Sequence, residues 1–313
     1  MEMCGLLRTI ISALTLEKGP AEDRHFCGKI VEVAIKRQEH SPTHKGGYLQ
    51  GQRVVREAVT LRAVRGFSNL IQLQEVLEPK LRDEVRAGAR NTEFDEIYFA
   101  MEKMDTTLNP LLQKKLSPDV VRLLAYEALR GVALLHEMGI GHRDLKPENF
   151  LVSEPAEVHV KRGGPPLELK LTDFGLGRDA VGIAGAAANP ATREVATSWW
   201  RPPENLARPR SSHLQRGRED RYLKFDAWSL GCVLAEIAAA APFSEPLFKA
   251  DSEDRVLEKI NSTLAELGRG ATAADPLVGW RRRFPGAPDE LLEIMRGLLT
   301  LDSADRDTPK KAL

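Results

Sequence analysis

The sequence has few cysteines and no excess of charge of either sign. Its three cysteines, Cys4, Cys27 and Cys232, are far apart and have no metal-ligand spacing. This pattern argues against a disulfide framework or a zinc site, and it favours a reducing, intracellular location in the cytoplasm or nucleus. Because 45 basic residues balance 45 acidic ones, no overall field attracts nucleic acid or an anionic membrane, and we expect neither as a partner.

The sequence also lacks a long hydrophobic run. The apolar stretch at 6–16 is interrupted by Arg8 and has neither the basic lead-in nor the cleavage site of a signal peptide. The longest apolar run, 229–243, contains Glu236 and is too short to span a bilayer, so it predicts a buried core helix. With 42% hydrophobic residues, the 313-residue chain has enough apolar side chains for one large domain or two lobes.

The first part of the chain has the pattern of a small β-rich unit. Residues 28–36 are β-branched and apolar, as in a buried strand, and 70–77 and 96–101 have a similar character. Between them, apolar residues at spacings of four and three predict a helix that ends near Gly66. Glu57 falls on the apolar face of that helix, where an acidic side chain needs a partner.

The rest of the chain has an α-rich pattern. Ser117 and Pro118 form a helix start, and Gly139 is placed to close that helix. A further helix is expected over 225–240, where the sequence is apolar nearly all round. The stretch 153–166 is rich in Gly and Pro and predicts a loop.

The most informative segment is His-Arg-Asp-Leu-Lys-Pro-Glu-Asn at 142–149, which is followed by Asp-Phe-Gly at 173–175. With these motifs the sequence resembles a eukaryotic protein kinase. The resemblance implies that Asp144 orients the hydroxyl of the substrate and that Lys146 reaches the transferred phosphate.

The same resemblance implies ATP and Mg²⁺ as cofactors. Asn149 and Asp173 supply the amide and carboxylate oxygens that magnesium prefers. Lys36 ends the strand motif Val-Ala-Ile-Lys, whose lysine pairs with the ATP phosphates. We expect Glu57 to be its partner, because a lysine that ends a buried strand and an acidic residue on an apolar helix face each need an opposite charge.

Other residues are implied to meet the adenine ring. Met101 controls the back pocket, the hinge runs from Glu102 to Met104, and Ala34 and Leu151 cover the two faces of the ring. By residue type alone, the apolar members of this set would be assigned to core packing.

The resemblance extends to the end of the chain and narrows to one kinase group. Trp-Trp-Arg-Pro-Pro-Glu at 199–204 is similar to a segment of cyclin-dependent and mitogen-activated kinases, the CMGC group. The resemblance implies a pair between Glu204 and Arg306. It also implies an α+β, two-lobed kinase fold, with a small antiparallel sheet and one helix over 27–103 and a mainly helical lobe over 104–313.

Activation by an upstream kinase is implied by one threonine and three arginines. Relatives grip a phosphothreonine with arginines at the positions of Arg56, Arg143 and Arg178, and Thr192 is the matching threonine. A doubly charged phosphate that faces three guanidinium groups can order a loop. The alternative is that the three are ordinary surface arginines.

The resemblance also bears on substrates and partners. Thr197 is implied to position the substrate, and Arg201 is implied to shape a pocket for proline, so we expect Ser/Thr-Pro sites in proteins as substrates. Residues 51–57 keep the final Arg-Glu of a cyclin-contacting helix but little else. A cyclin-like regulator therefore stays open.

One expected motif is missing from the sequence. No Gly-x-Gly-x-x-Gly lid for the phosphates precedes Lys36, and the segment 1–26 is atypical for the family. Either the first strands are unusual, or the N-terminus is truncated or mis-assigned. Two functions stay open: an active serine/threonine kinase, and a kinase-like scaffold with impaired catalysis. A small-molecule kinase is disfavoured, because Thr192, Thr197 and the 199–204 segment build a platform for protein substrates.

Overall fold

The structure, a computed structural model, describes residues 32–39, 47–77, 96–153, 167–179, 198–206, 221–239 and 245–313. These residues divide into two units. The first contains the described residues up to Gly66 together with Ile71–Met104, and the second contains Phe67–Leu70 and the described residues from Asp105 to Leu313. The atypical segment 1–26 lies outside the described ranges. Among the helices in those ranges, none is both long enough and apolar enough to cross a membrane.

The first unit consists of a three-stranded antiparallel sheet and one helix. Its elements are β1 (Val33–Glu39), α1 (Gly47–Ala63), β2 (Leu73–Leu77) and β3 (Glu96–Glu102). The strand order is β1-β3-β2, with Ala34 opposite Met101 and Lys36 opposite Phe99. Because alternate residues of a strand share a face, Ala34 and Lys36 lie on the same face of β1.

Helix α1 buries the face that the spacing of its apolar residues predicts. Val54 and Leu61 are buried, and Glu57 on the same face is buried too. The helix ends at Ala63, shortly before Gly66, whose positive φ of 90° is a conformation that glycine adopts without steric cost.

The predicted strand at 70–77 is wrong in its first part. Strand β2 begins at Leu73, whereas Leu70 belongs to the second unit and forms a parallel bridge with Leu171. Both leucines are buried. An apolar run indicates burial, but the pairing of a residue depends on neighbours that the run does not specify.

The second unit is mainly helical. Its helices are α2 (Leu108–Leu112), α3 (Pro118–Glu137), α4 (Pro203–Leu206), α5 (Arg221–Ala239), α6 (Glu253–Leu267), α7 (Val278–Arg283), α8 (Asp289–Leu298) and α9 (Pro309–Ala312). The Ser117 hydroxyl accepts a hydrogen bond from the Val120 N–H and caps α3, as predicted. Helix α5 is buried throughout 225–237 and packs against α3 and α8. The helix begins at Arg221, four residues before the predicted start at 225. Its first turn is only half-buried, so the residues there are not all apolar and the apolar run does not reveal it.

Short antiparallel sheets in the second unit bring two loops together. Their strands are β4 (Thr106–Thr107), β5 (Ile140–Gly141), β6 (Phe150–Val152), β7 (Leu169–Leu171) and β8 (Arg178–Asp179). Strand β5 pairs with β8, and β6 pairs with both β4 and β7. The loop 142–149 joins β5 to β6, and the loop 172–177 joins β7 to β8. Because the flanking strands are paired, the two loops lie side by side.

Candidate active site

A buried carboxylate on α5 holds the loop 142–149. The backbone N–H groups of His142 and Arg143 donate to the two oxygens of Asp226 at 2.6 and 2.7 Å. His136 Nε2 lies 3.0 Å from Asp226 Oδ2. Arg143 has a positive φ of 70°, which is strained for a residue with a side chain. The hydrogen bonds to Asp226 therefore hold the loop in a conformation that local preferences oppose.

Asp144 lies between the other two predicted catalytic residues. Lys146 Nζ donates to Asp144 Oδ2 at 2.9 Å, and the Asn149 amide donates to the same oxygen at 3.2 Å and to the Asp144 carbonyl at 2.7 Å. Burial lowers the pKa of Lys146, but the attraction of the Asp144 carboxylate outweighs it, so the pKa lies above its ordinary value. Lys146 is therefore a cation at neutral pH.

Backbone hydrogen bonds tie the Asp-Phe-Gly segment to this loop. The Thr172 N–H donates to the Asn149 carbonyl at 2.9 Å, and His142 Nε2 lies 2.9 Å from the Thr172 carbonyl oxygen. The rings of His142 and Phe174 meet edge to face, with centroids 5.6 Å apart. Asp173, which has a φ of 65°, thus follows directly after a residue that is bonded to Asn149.

Asn149 and Asp173 fit a hard divalent cation. Asn149 is buried, and within the described part of the chain its Oδ1 accepts no hydrogen bond. A buried amide oxygen without a donor is costly unless a cation or water meets it. Asp173 adds to the raised pKa of Lys146 through its charge, so a carboxylate lies near the same cluster. Amide and carboxylate oxygens are the ligands that Mg²⁺ prefers.

In the first unit, Lys36 on β1 and Glu57 on α1 form an ion pair. Lys36 Nζ lies 2.7 Å from Glu57 Oε1. The second oxygen, Oε2, accepts a hydrogen bond from Gln38 Nε2 at 2.8 Å. Glu57 is only 2% exposed, so both oxygens of this buried carboxylate have partners.

The positions implied to meet adenine differ in burial. Met101 is buried. Half-buried side chains are found at Ala34, Met104 and, in the second unit, Leu151. The Glu102 N–H donates to the Gln72 carbonyl at 3.0 Å, and the Glu102 carboxylate accepts from the Gln72 N–H at 2.9 Å. The backbone donor of Glu102 is thus engaged within its own unit.

The two tryptophans of the 199–204 segment fasten it to the helical unit. Trp200 Nε1 donates to Glu236 Oε1 on α5 at 2.6 Å, and Trp199 Nε1 donates to the Ala250 carbonyl at 2.8 Å. Burial raises the pKa of Glu236 to about 8, against the opposing effect of the Trp200 hydrogen bond. Glu236 is therefore mostly neutral at physiological pH.

Two charged residues of the same segment pair with more distant partners. Arg201 Nη1 lies 2.9 Å from Glu253 Oε1 at the start of α6. Arg306 donates from Nη1 and Nη2 to the two oxygens of Glu204 at 2.8 and 3.0 Å. Arg306 is 1% exposed, so this two-pronged contact is buried on the arginine side.

The three predicted regulatory arginines lie in different surroundings. Arg56 Nη2 donates to Gln52 within α1 at 3.3 Å. Arg143 Nη1 donates to the Leu176 carbonyl at 3.4 Å. The backbone of Arg178 lies in β8. Outside the described residues lie the two predicted threonines, Thr192 and Thr197.

Sequence reasoning missed several residues that support this site: Asp226, His136, Gln38 and Glu253. For Asp226 a signal existed, because an acidic residue in a helix that is apolar nearly all round needs buried partners. For Gln38 the predicted strand ended too early: β1 continues past Lys36 to Glu39, and alternation then places Gln38 on the same face as Lys36. For Glu253 the sequence carries no signal, since it lies far from Arg201 along the chain.

The described part of the chain thus brings the Asp, Lys and Asn of one loop next to the segment that carries Asp-Phe-Gly. The chain belongs to the protein kinase family, because residues 25–313 match the family described as the protein kinase domain. This match and the relatives below confirm the α+β kinase fold and the resemblance to serine/threonine kinases of the CMGC group.

The similar proteins include cyclin-dependent and mitogen-activated kinases by name. A relative named as cyclin-dependent kinase F-2 in Oryza sativa subsp. japonica is 30% identical over 298 residues, which are 90% of this chain and 80% of that protein. Mitogen-activated protein kinase spk1 of Schizosaccharomyces pombe is 29% identical over 280 residues, 83% of this chain and 65% of its own length. For mitogen-activated protein kinase mpk-1 of Caenorhabditis elegans the identity is 29% over 288 residues, with shares of 84% and 55%. The chain thus spans between about half and two thirds of these two mitogen-activated kinases.

Proposed function

We propose that the chain is an active serine/threonine protein kinase that transfers the γ-phosphate of ATP to proteins and uses Mg²⁺. The main support is the cluster in which Asp144 Oδ2 accepts hydrogen bonds from both Lys146 and Asn149. Phosphoryl transfer needs positioned reactants and neutralised phosphate charge more than covalent chemistry. The Asp144 carboxylate can position the substrate hydroxyl, and the neighbouring lysine cation can neutralise phosphate charge.

In the proposed reaction, the Asp144 carboxylate accepts a hydrogen bond from a serine or threonine hydroxyl of the substrate. As the hydroxyl oxygen bonds to the γ-phosphorus, the bond from that phosphorus to the bridging oxygen of ADP breaks, and Asp144 takes the hydroxyl proton. The Lys146 ammonium stabilises the negative charge on the transferred group. Asn149 and Asp173 would hold Mg²⁺, which supplies charge neutralisation to the phosphates.

The first unit contributes Lys36, which we assign to the α- and β-phosphates. Its ammonium is held by the buried Glu57 carboxylate, and Gln38 occupies the other oxygen of that carboxylate. Because both oxygens of Glu57 are engaged, the ammonium is kept in one position. Such pre-organisation reduces the entropy lost when the phosphates bind.

Proline-directed specificity is part of the proposal. The Arg201 side chain is 11% exposed and pairs with Glu253, so the residue implied to shape the proline pocket is fixed in place. The relatives are named as mitogen-activated and cyclin-dependent kinases. Two partners are therefore proposed for testing: an upstream activating kinase that acts at Thr192, and a cyclin-like regulator.

The direct test is magnesium-dependent transfer of labelled γ-phosphate from ATP to a pool of Ser/Thr-Pro peptides, with Thr192 phosphorylation verified by mass spectrometry. Asp144→Asn is expected to abolish transfer, because the amide cannot accept the proton. Asp119→Asn is the matched control, since this side chain is 92% exposed, and it is expected to retain activity. A folded, phosphorylated chain that transfers nothing would instead favour the kinase-like scaffold.

Two further comparisons test the finer parts of the proposal. Replacing proline by alanine after the target residue is expected to lower transfer, and equal transfer would contradict proline direction. Thr192→Ala is expected to lower turnover, and an undiminished rate would contradict activation at that position.

A further inference from the structure

The guanidinium of Arg143 lies over an aromatic ring on α5. Its Cζ is 5.0 Å from the centroid of the Tyr222 ring, and Arg143 is only 8% exposed. A guanidinium is attracted to the electron-rich face of an aromatic ring, and the attraction grows where water is excluded. Helix α5 therefore holds Arg143 twice, by its backbone through Asp226 and by its side chain through Tyr222.

Strand β5, which precedes the loop 142–149 (the catalytic loop), has a glycine where α5 packs closely against it. A Cβ on Gly141 would lie 2.6 Å from Tyr222 Cβ and 3.3 Å from the Tyr222 carbonyl carbon. The first of these distances is shorter than packed side chains tolerate, so a glycine at 141 lets the first turn of α5 lie against β5. The position of Tyr222 is thus set by backbone packing.

Arg143 also reaches the loop that carries Asp-Phe-Gly. Its Nη1 donates to the Leu176 carbonyl at 3.4 Å. A guanidinium has five N–H donors, so Arg143 can donate to the Leu176 carbonyl while its Cζ lies over the Tyr222 ring. Arg143 therefore connects α5, the catalytic loop and the loop 172–177.

We propose that Tyr222 is a positioning residue for Asp144: its ring holds the Arg143 guanidinium, so the catalytic loop keeps its arrangement before Thr192 is phosphorylated. The proposal rests on the proposed kinase function and concerns its regulation. An arginine that depends only on a phosphothreonine would be released without the phosphate. Here the chain itself supplies part of the attraction, so phosphorylation of Thr192 adds to a basal activity and does not switch it on from zero.

The test compares Tyr222→Leu, which removes the ring, with Tyr222→Phe, which keeps it. Both are made in the full chain with Thr192→Ala, so that no phosphate can reach that position. Tyr222→Leu is expected to lower kcat roughly threefold to tenfold, the range of a partly desolvated cation–π contact, with little change in KM for ATP. Tyr222→Phe is expected to retain kcat. Tyr126→Leu is the matched control, because Tyr126 on α3 is 50% exposed.

A kcat for Tyr222→Leu equal to that of Tyr222→Phe would overturn the proposal. So would a loss of kcat that merely follows a loss of global thermal stability. Amide hydrogen exchange gives a readout that needs no activity: Tyr222→Leu is expected to speed exchange at the His142 and Arg143 N–H groups and to leave α8 unchanged. If the wild-type chain transfers no phosphate, the proposed kinase function fails. The role of Tyr222 is then tested by hydrogen exchange alone, and unchanged exchange rates at the His142 and Arg143 amides would refute it.

Discussion

Asp226 Oδ1 accepts the backbone N–H of Arg143 at 2.7 Å, although the two residues are 83 positions apart in the chain. The carboxylate lies in the buried part of α5, where its position is fixed by packing on all sides. Low local polarity strengthens a hydrogen bond to a charged acceptor. A buried helix of the second unit thereby sets the conformation of the loop that carries Asp144.

Asp226→Asn should uncouple this loop from the helix. An amide offers one accepting oxygen and turns an NH₂ group toward a backbone N–H, so one of the two loop bonds is lost. We expect the free energy of unfolding to fall by about 1–3 kcal/mol and kcat to fall by at least about tenfold, because Asp144 is no longer held in place. Urea denaturation and the transfer assay measure the two effects, and a wild-type kcat would contradict the anchoring role.

The Lys36–Glu57 pair should depend on Gln38. Glu57→Gln removes the charge that holds Lys36, and we expect kcat/KM for ATP to fall at least about tenfold. Gln38→Ala removes one hydrogen bond to the buried carboxylate but leaves the ion pair in place, so we expect kcat/KM for ATP to fall by less than about tenfold. Glu75→Gln, on the exposed side of β2, is the control. Equal values for Gln38→Ala and the wild type would show that Gln38 plays no part.

The pair of Arg306 and Glu204 should stabilise the second unit far more than an exposed pair does. Glu204→Ala leaves a buried guanidinium without its carboxylate, and we expect a loss of about 3–5 kcal/mol in the free energy of unfolding. Glu137→Ala breaks the exposed pair with Lys310, for which about 0–1 kcal/mol is expected. Denaturant titration of both variants makes the comparison, and losses of similar size would refute the importance of burial.

Glu236 should make stability depend on pH. Burial raises its pKa in the folded chain from 4.5 to about 8, so the folded state holds this proton more tightly than the unfolded state does. The stabilisation that protonated Glu236 gives to the folded state is therefore fully present below about pH 4.5 and is lost as the pH rises through about 8. Over that window we expect the wild type to lose on the order of a few kcal/mol more than Glu236→Gln, which does not titrate there.

Urea titrations of both proteins at several pH values within this window measure that difference. Glu266→Gln, on the exposed face of α6, is the control and should follow the wild type. Parallel stability curves for the wild type and Glu236→Gln would show that the carboxyl is already ionised in the folded state.

The sequence predicted those features of the helices that depend on residues close together in the chain. The cap of α3 at Ser117, the buried face of α1 and the buried stretch of α5 all follow from residues a few positions apart. The prediction of a strand at 70–77 was wrong at Leu70, which forms a bridge with Leu171 instead of joining β2. A short apolar run does not specify which neighbour a residue pairs with. The Lys36–Glu57 contact was predictable, since each residue is a charge next to apolar residues in the sequence and needs an opposite charge.

The sequence by itself determined the order of the residues to which we assign phosphoryl transfer, Lys36, Asp144, Asn149 and Asp173, and it indicated the longer helices and the strand that carries Lys36. Helix periodicity and capping depend on residues within one or two turns, so they can be read along the chain. Only the tertiary structure decided which distant groups meet, as in the Asp226 carboxylate that accepts from the loop 84 positions earlier. A buried polar group takes the partner that packing brings within hydrogen-bond reach, and packing is a property of the whole fold.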